Sequence, residues 1–287
     1  MALRAYLELI KPERTLANVY TAAAGFLFAT NWPIDLQLFM AFLGGITLVI
    51  ASACAANNYL DRSIDRRMNR TKKRALPTGL VTPSAALWLA LILGSFGFWI
   101  LATWVNFAVV FLGGIAYVDY VVAYGWAKRH TVWSTWIGTI SGSMSLVAGY
   151  CAVTDRLDLT ASLLFAMMVF WQMAHFYAIG IYRQDDYRSA GLPIWSVRYG
   201  LNSMRAQIIA YILLFVVTSA GLFMTMISPK GNIYLVAVLL LGFSWLRVAA
   251  RPWDTKHEAA WARQVFGHSL VVIMVLPVLL AVGPHLP

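Results

Sequence analysis

Residues 37–74 read QLFMAFLGGITLVIASACAANNYLDRSIDRRMNRTKKR. The part from 37 to 60 is long enough and apolar enough to cross a bilayer as an α-helix, which needs about 20 such residues. It ends in Asn57, Asn58 and Asp61, and then the composition reverses. Arg62, Arg66, Arg67, Arg70, Lys72, Lys73 and Arg74 follow within a few turns. A lipid-facing run that closes on hard oxygen donors and then on dense positive charge predicts a membrane helix with a chemically equipped end.

The rest of the chain repeats the apolar theme. Of 287 residues, 60% are hydrophobic and 12% charged, against roughly 45–50% and about 25% in soluble globular domains. Nine runs have spanning length, near 14–31, 37–60, 84–104, 106–127, 132–153, 160–182, 206–228, 231–249 and 266–285. Within lipid every backbone group must be satisfied inside its own segment, so these runs read as helices. The predicted fold is all-α, a polytopic bundle of nine transmembrane helices forming a single domain over 1–287. Abundant Trp and Tyr suit rings at both interfaces. Cys54 and Cys151 lie inside apolar runs and build neither a disulfide framework nor a metal motif. Glu8, Lys11, Glu13 and Arg14 break up the N-terminal stretch, so it reads as a retained helix and not as a signal peptide.

Charge sets the expected orientation. With nine spans, Arg4, Lys11 and Arg14, the 62–74 cluster, Lys128 and Arg129 all fall on one side. So do Arg183, Arg188, Arg198 and Arg205, and then Arg247, Arg251, Lys256 and Arg263, leaving Arg156 and Lys230 on the other. The positive-inside rule then places the N-terminus in the cytoplasm and the C-terminus outside. This asymmetry accounts for the net charge of +10. The basic residues border spans, so they read as membrane-surface charge and not as a nucleic-acid footprint.

Asn57, Asp61 and Asp65 recur every four residues. Successive members drift by only about 40° around a helix, so they share one face. Such a row of oxygens suits Mg²⁺, which completes its shell with water and phosphate oxygens. The nearby Arg and Lys could neutralise the same diphosphate. The plain alternative is a solvated helix end with local ion pairs. Asp185 and Asp186 close the sixth span on the same predicted side, and two acidic helix ends facing one polyanion fit a metal-bridged diphosphate site. An allylic diphosphate ionising there would leave a carbocation in a chamber from which apolar helices exclude water.

His175 lies inside the sixth span, and His130 follows Lys128 and Arg129 at a helix end. Each reads either as a hydrogen-bonded structural residue or as a ligand. His257, His268 and His285 carry no motif. Asp119 sits within the fourth span, where a carboxylate is a functional candidate or the partner of a polar group on a neighbouring helix.

Several separated stretches together resemble the protoheme IX farnesyltransferases (heme O synthases) of the UbiA-type intramembrane prenyltransferases. They are Lys11-Pro12 with Asn18, Asn57 through Arg74, Lys128-Arg129-His130, and Ile137 to Gly142 with Gly149 to Thr154. Trp171 to His175, Asp186-Tyr187 and Ala190 to Pro193 complete the match. The resemblance implies farnesyl transfer from farnesyl diphosphate to a vinyl group of protoheme IX (heme b), with addition of water and release of diphosphate. The product, heme O, would serve terminal oxidases in a bacterial inner membrane, with terminal oxidase assembly proteins as partners. The resemblance also implies Mg²⁺ held through diphosphate by Asn57, Asp61, Asp65 and Asp186. Lys73, Arg74, Lys128, Arg129, Asn18, Tyr182 and Arg183 become substrate contacts, and His175 and His130 heme contacts.

Three departures from the family pattern stand out. Ser63 replaces a usual Asp, Ala174 a usual Pro before the intramembrane His, and Met144-Ser145-Leu146 a usual Ala-Pro-Pro. Losing those prolines removes expected helix kinks. The competing readings are prenyl transfer to an aromatic or quinone precursor, and a non-catalytic membrane transport or assembly protein.

Overall fold

The computed structural model describes residues 2–31, 33–67, 71–189, 191–225, 232–252 and 257–283. Arg70, Ala190, Lys230, Lys256 and His285, singled out above, lie outside that set. The described residues form helices and no strand. A short amphipathic helix, α1 (Ala2–Leu9), precedes α2 (Pro12–Ala29), α3 (Leu36–Asp65) and α4 (Pro83–Trp104). Next come α5 (Phe107–Val118) and α6 (Tyr124–His130), joined by a π-helical turn, Asp119–Ala123. Then follow α7 (Ser134–Thr154), α8 (Leu159–Tyr182), the short α9 (Gln184–Ser189) and α10 (Trp195–Tyr199), α11 (Leu201–Phe223), α12 (Asn232–Ala249) and α13 (Glu258–Val282).

Eight of these helices, counting Phe107–His130 as one, are long and apolar enough to cross a membrane. The ninth expected span is α2. It has 18 residues, and Glu13, Arg14 and Asn18 lower its hydropathy, so the count of nine holds only approximately. Two features were not legible in the sequence. One is α1, whose Ala5 and Leu9 are buried in a small cluster with Ala55, Ala56 and Leu76. The other is the π turn, which inserts an extra residue into an otherwise regular helix. The helices α7 and α8 run unbroken past Met144 to Leu146 and past Ala174, as removal of the family's prolines predicts.

Local chemistry fixes the helix starts. Asp35, Thr82, Asn106 and Asp158 each accept a hydrogen bond from the backbone N–H three residues on, satisfying one of the unpaired donors that a helix start exposes. Packing then depends on small residues, since lipid offers no hydrophobic force to drive helices together. A Cβ on Gly25 would lie 2.0 Å from the Leu146 carbonyl oxygen, and one on Gly149 2.0 Å from that of Ala22. Backbones of α2 and α7 therefore meet directly. Between α3 and α4, Ser52 Oγ donates to the Ala90 carbonyl at 2.6 Å. Tyr20 OH, donating to Met274 O at 2.7 Å, ties α2 to α13.

Candidate active site

The last turns of α3 carry the site. Asn57, Asp61 and Asp65 are all buried, and each is engaged by cations from elsewhere in the chain. Lys11, at the N-cap of α2, donates from Nζ to Asn57 Oδ1 at 2.8 Å. Lys128 Nζ donates to Asp61 Oδ2, and Arg129 reaches Asp61 Oδ1 at 3.3 Å. Arg74, in the turns after α3, meets Asp65 Oδ2 at 3.0 Å. Leaving one member of a buried ion pair alone costs about 3–5 kcal/mol, so the Asp61 and Asp65 pairs hold α6 and the turn bearing Arg74 against α3, while the Lys11 hydrogen bond to the Asn57 amide ties the start of α2 to it. The i, i+4 ion pairs of a plain solvated helix end are not what forms here. The partners lie 46, 67, 68 and 9 residues away in sequence.

Lys11 reaches Asn57 from a left-handed backbone, φ 48°, a conformation uncommon outside Gly, Asn and Asp. Its N–H bonds the Glu8 carbonyl at 3.2 Å, and its own carbonyl accepts from Arg14 and Thr15. Desolvation pulls the Lys11 ammonium down to about 7, with Cys54 and Asp61 opposing and Arg14 and Arg74 adding to the fall. The neighbouring Asn58 is structural, its Nδ2 donating to Leu9 O at 2.8 Å. Glu8 accepts the Ala75 N–H at 3.2 Å, which pins the segment bearing Lys73 and Arg74 to α1. Lys73 itself is exposed.

The π turn shapes the opposite wall. Tyr120 and Tyr124 stack with centroids 5.8 Å apart. Tyr120 OH stands 3.5 Å from Asn57 Oδ1, and Lys128 Nζ lies 5.5 Å from the Tyr124 ring centroid. Asp119 is buried and accepts the Ser141 N–H at 3.1 Å. This contact joins the π turn to α7. Asn18 pairs with Ser145 at 3.3 Å, also linking α2 to α7.

The other proposed residues make no direct hydrogen bond or ion pair with Asn57, Asp61 or Asp65 among the described residues. Asp186 is half-buried on α9, and its carboxylate makes no hydrogen bond or ion pair among the described residues. Arg183 packs on the Tyr182 ring at 5.4 Å. No group of three or more His, Cys, Asp or Glu side chains draws together as a metal cage among the described residues. The donor set nonetheless fits a metal carried by a polyanion. Its oxygens are hard, its cations are suited to phosphate, and Asn57 Nδ2 is buried with no hydrogen-bond partner among the described residues, leaving a donor for a phosphate oxygen.

His130 is exposed, stacked on Trp126 at 5.0 Å, with Nδ1 2.8 Å from the Trp126 carbonyl. His175 is buried in α8 among Trp171, Phe176 and Phe266. Its Nδ1 lies 2.7 Å from Ser269 Oγ on α13. That hydroxyl already donates its one proton to the Phe266 carbonyl at 2.6 Å. Nδ1 must therefore be the protonated nitrogen, and the lone pair sits on Nε2. Sequence reasoning missed Tyr120 and Ser269 and gave Lys11 no site role. The one local signal among them was Lys11-Pro12, a basic residue placed immediately before a helix start.

Residues 18–271 match the UbiA prenyltransferase family. A protein of Edwardsiella ictaluri (strain 93-146) named protoheme IX farnesyltransferase is 40% identical over 281 residues, spanning 98% of this chain and 94% of its own. A solved structure from work on digeranylgeranylglyceryl phosphate synthase in membranes aligns with a TM-score of 0.82 at 17% identity, covering 99% of this chain and 98% of that one. A UbiA homolog from Archaeoglobus fulgidus bound to DMAPP and Mg²⁺ aligns at 0.75 and 15% identity, covering 94% and 99%. At such identities the two solved structures speak to the fold alone.

Proposed function

Since the chain belongs to the UbiA prenyltransferase family, we propose that it farnesylates protoheme IX within the membrane, giving heme O and diphosphate. The allylic C1–O bond of farnesyl diphosphate breaks, and its electron pair leaves with diphosphate. C1 bonds the terminal carbon of a heme vinyl group, water supplies hydroxide to the inner carbon, and a proton is released. The observation that carries the donor half is the row Asn57, Asp61 and Asp65, buried and met by cations from α2, α6 and the turns after α3. The acceptor half is supported by the full-length relative at 40% identity.

Mg²⁺ would be held through diphosphate by Asn57, Asp61, Asp65 and Asp186, where it supplies positive charge to the leaving group. Lys11, Arg74, Lys128 and Arg129 bind the phosphate oxygens, with Lys73 at the rim and Asn18, Tyr182 and Arg183 as further substrate contacts. Tyr120 stacks on Tyr124 beside Asn57 and keeps water from the ionising carbon. His175, with its lone pair on Nε2, suits contact with heme iron, and His130 offers a second contact near the surface. We read residues 1–287 as one domain of a multi-pass protein of the bacterial inner membrane, with a cytoplasmic N-terminus and an outward C-terminus. Terminal oxidases would consume the product, and their assembly proteins would be its partners.

Purified protein given farnesyl diphosphate, Mg²⁺ and heme b should yield a more hydrophobic heme on reversed-phase chromatography. Unchanged heme alongside a prenylated phenol in a parallel incubation would overturn the assignment of the acceptor.

A further inference from the structure

A crevice of about 580 Å³ opens behind the acidic face of α3. Arg62, Arg66 and Arg129 line it together with the hydroxyls of Ser63 and Thr82, and no Asp or Glu lines it among the described residues. Its remaining wall includes the buried Leu76 and Val81. The three guanidiniums are differently committed. Arg62 donates to Tyr59 O at 2.6 Å and packs on the Tyr59 ring at 4.4 Å. Arg129 bonds Leu60 O at 2.8 Å and Asp61. The exposed guanidinium of Arg66 has no partner among the described residues. Arg62 and Arg66 stand one helical turn apart on the same side of α3, so their forks face one volume.

We propose that this crevice is a binding site for the phosphate of an anionic phospholipid. Arginine forks match phosphate oxygens in geometry as well as charge. A purely cationic pocket would be met only by an anion, and the apolar wall beside it would favour an anion with an acyl chain over a free ion. The position fits, since the crevice lies where the apolar run of α3 gives way to the basic segment. Arg129 connects it to the diphosphate site through Asp61, so an occupant would draw on the same guanidinium that steadies that carboxylate. The proposal does not depend on which prenyl acceptor the enzyme uses.

The test is native mass spectrometry of the full chain in detergent, titrated with phosphatidylglycerol or with phosphatidylcholine. Phosphatidylglycerol should be retained at concentrations where phosphatidylcholine is not. The Arg62→Gln/Arg66→Gln variant should weaken its retention by about tenfold or more. Ser63→Asp, which keeps every arginine and adds a carboxylate to the crevice, should weaken it in the same direction and provides the reading if the arginine variant fails to fold. Arg67→Gln removes an exposed charge that does not line the crevice and should change retention by less than about twofold. Equal retention of both lipids, an equal loss in Arg67→Gln, or displacement of the lipid by inorganic phosphate at matched concentration would each overturn the proposal.

Discussion

The ends of α3 and α8 both lead into acidic residues, and they are built in opposite ways. At the α3 end Asn57, Asp61 and Asp65 are buried and each is already held by a cation, two of the three from distant parts of the chain and Asp65 by Arg74 from the following turns. Beyond α8, Asp186 sits half-buried on its own short helix with its carboxylate unengaged among the described residues. One pole is fixed before any substrate arrives, and the other has yet to be recruited. Preorganised charge requires little rearrangement during the reaction, so the fixed pole suits the part of the diphosphate that must be gripped throughout. The free pole suits a contact made only once the metal and polyanion are bound.

Asp61→Asn and Asp65→Asn should give the largest effect, a fall in heme O formation of about three orders of magnitude, with the protein still monodisperse on size exclusion. Full activity in both would break the reading of the fixed pole. Asp186→Asn should cost less, about a hundredfold, and should raise the Mg²⁺ concentration giving half-maximal rate. An unchanged Mg²⁺ dependence would remove Asp186 from the site and leave α3 alone. Ser269→Ala should lower activity by about tenfold, the usual scale for a residue that orients a ligand. The heme absorption spectrum of the complex should shift with it, and Ser269→Thr should restore both. If His175→Ala alters the spectrum while Ser269→Ala does not, the hydroxyl is irrelevant to the tautomer. Tyr120→Phe should change the rate by no more than about threefold, because a 3.5 Å contact to Asn57 is long for a hydrogen bond. A larger loss would enlist Tyr120 as part of the fixed pole.

The same contrast explains what could be read in advance. The row Asn57, Asp61 and Asp65 follows from a four-residue spacing, and the long apolar runs dictate helices because lipid permits little else. Their partners depend on tertiary approach. Nothing local announces that Lys11 will meet Asn57 across 46 residues, or that Ser269 will meet His175 across 94. Asp119 stands out in the sequence as an intramembrane carboxylate, but its partner, the Ser141 N–H, shows only in the fold. The first span reads in the sequence as a membrane helix carrying Asn18 as a substrate contact by resemblance. Its polar start also serves the site through the N-cap Lys11, which meets Asn57, while Asn18 pairs with Ser145 on α7.

The π turn at Asp119–Ala123 has a consequence for how this gene can change length. Wound as a plain α-helix, the same residues would present Lys128 and Arg129 rotated by about 100° and advanced by about 1.5 Å, away from Asp61. The surplus residue in the turn is therefore what brings those two cations round to the carboxylate. Loss of the lipid-exposed Val122 could be absorbed as the turn anneals into regular helix with both flanks in place. A one-residue loss from the preceding 107–118 segment has no such slack and would shift one flank against the other. Tolerated deletions in this helix should accordingly concentrate in those five residues.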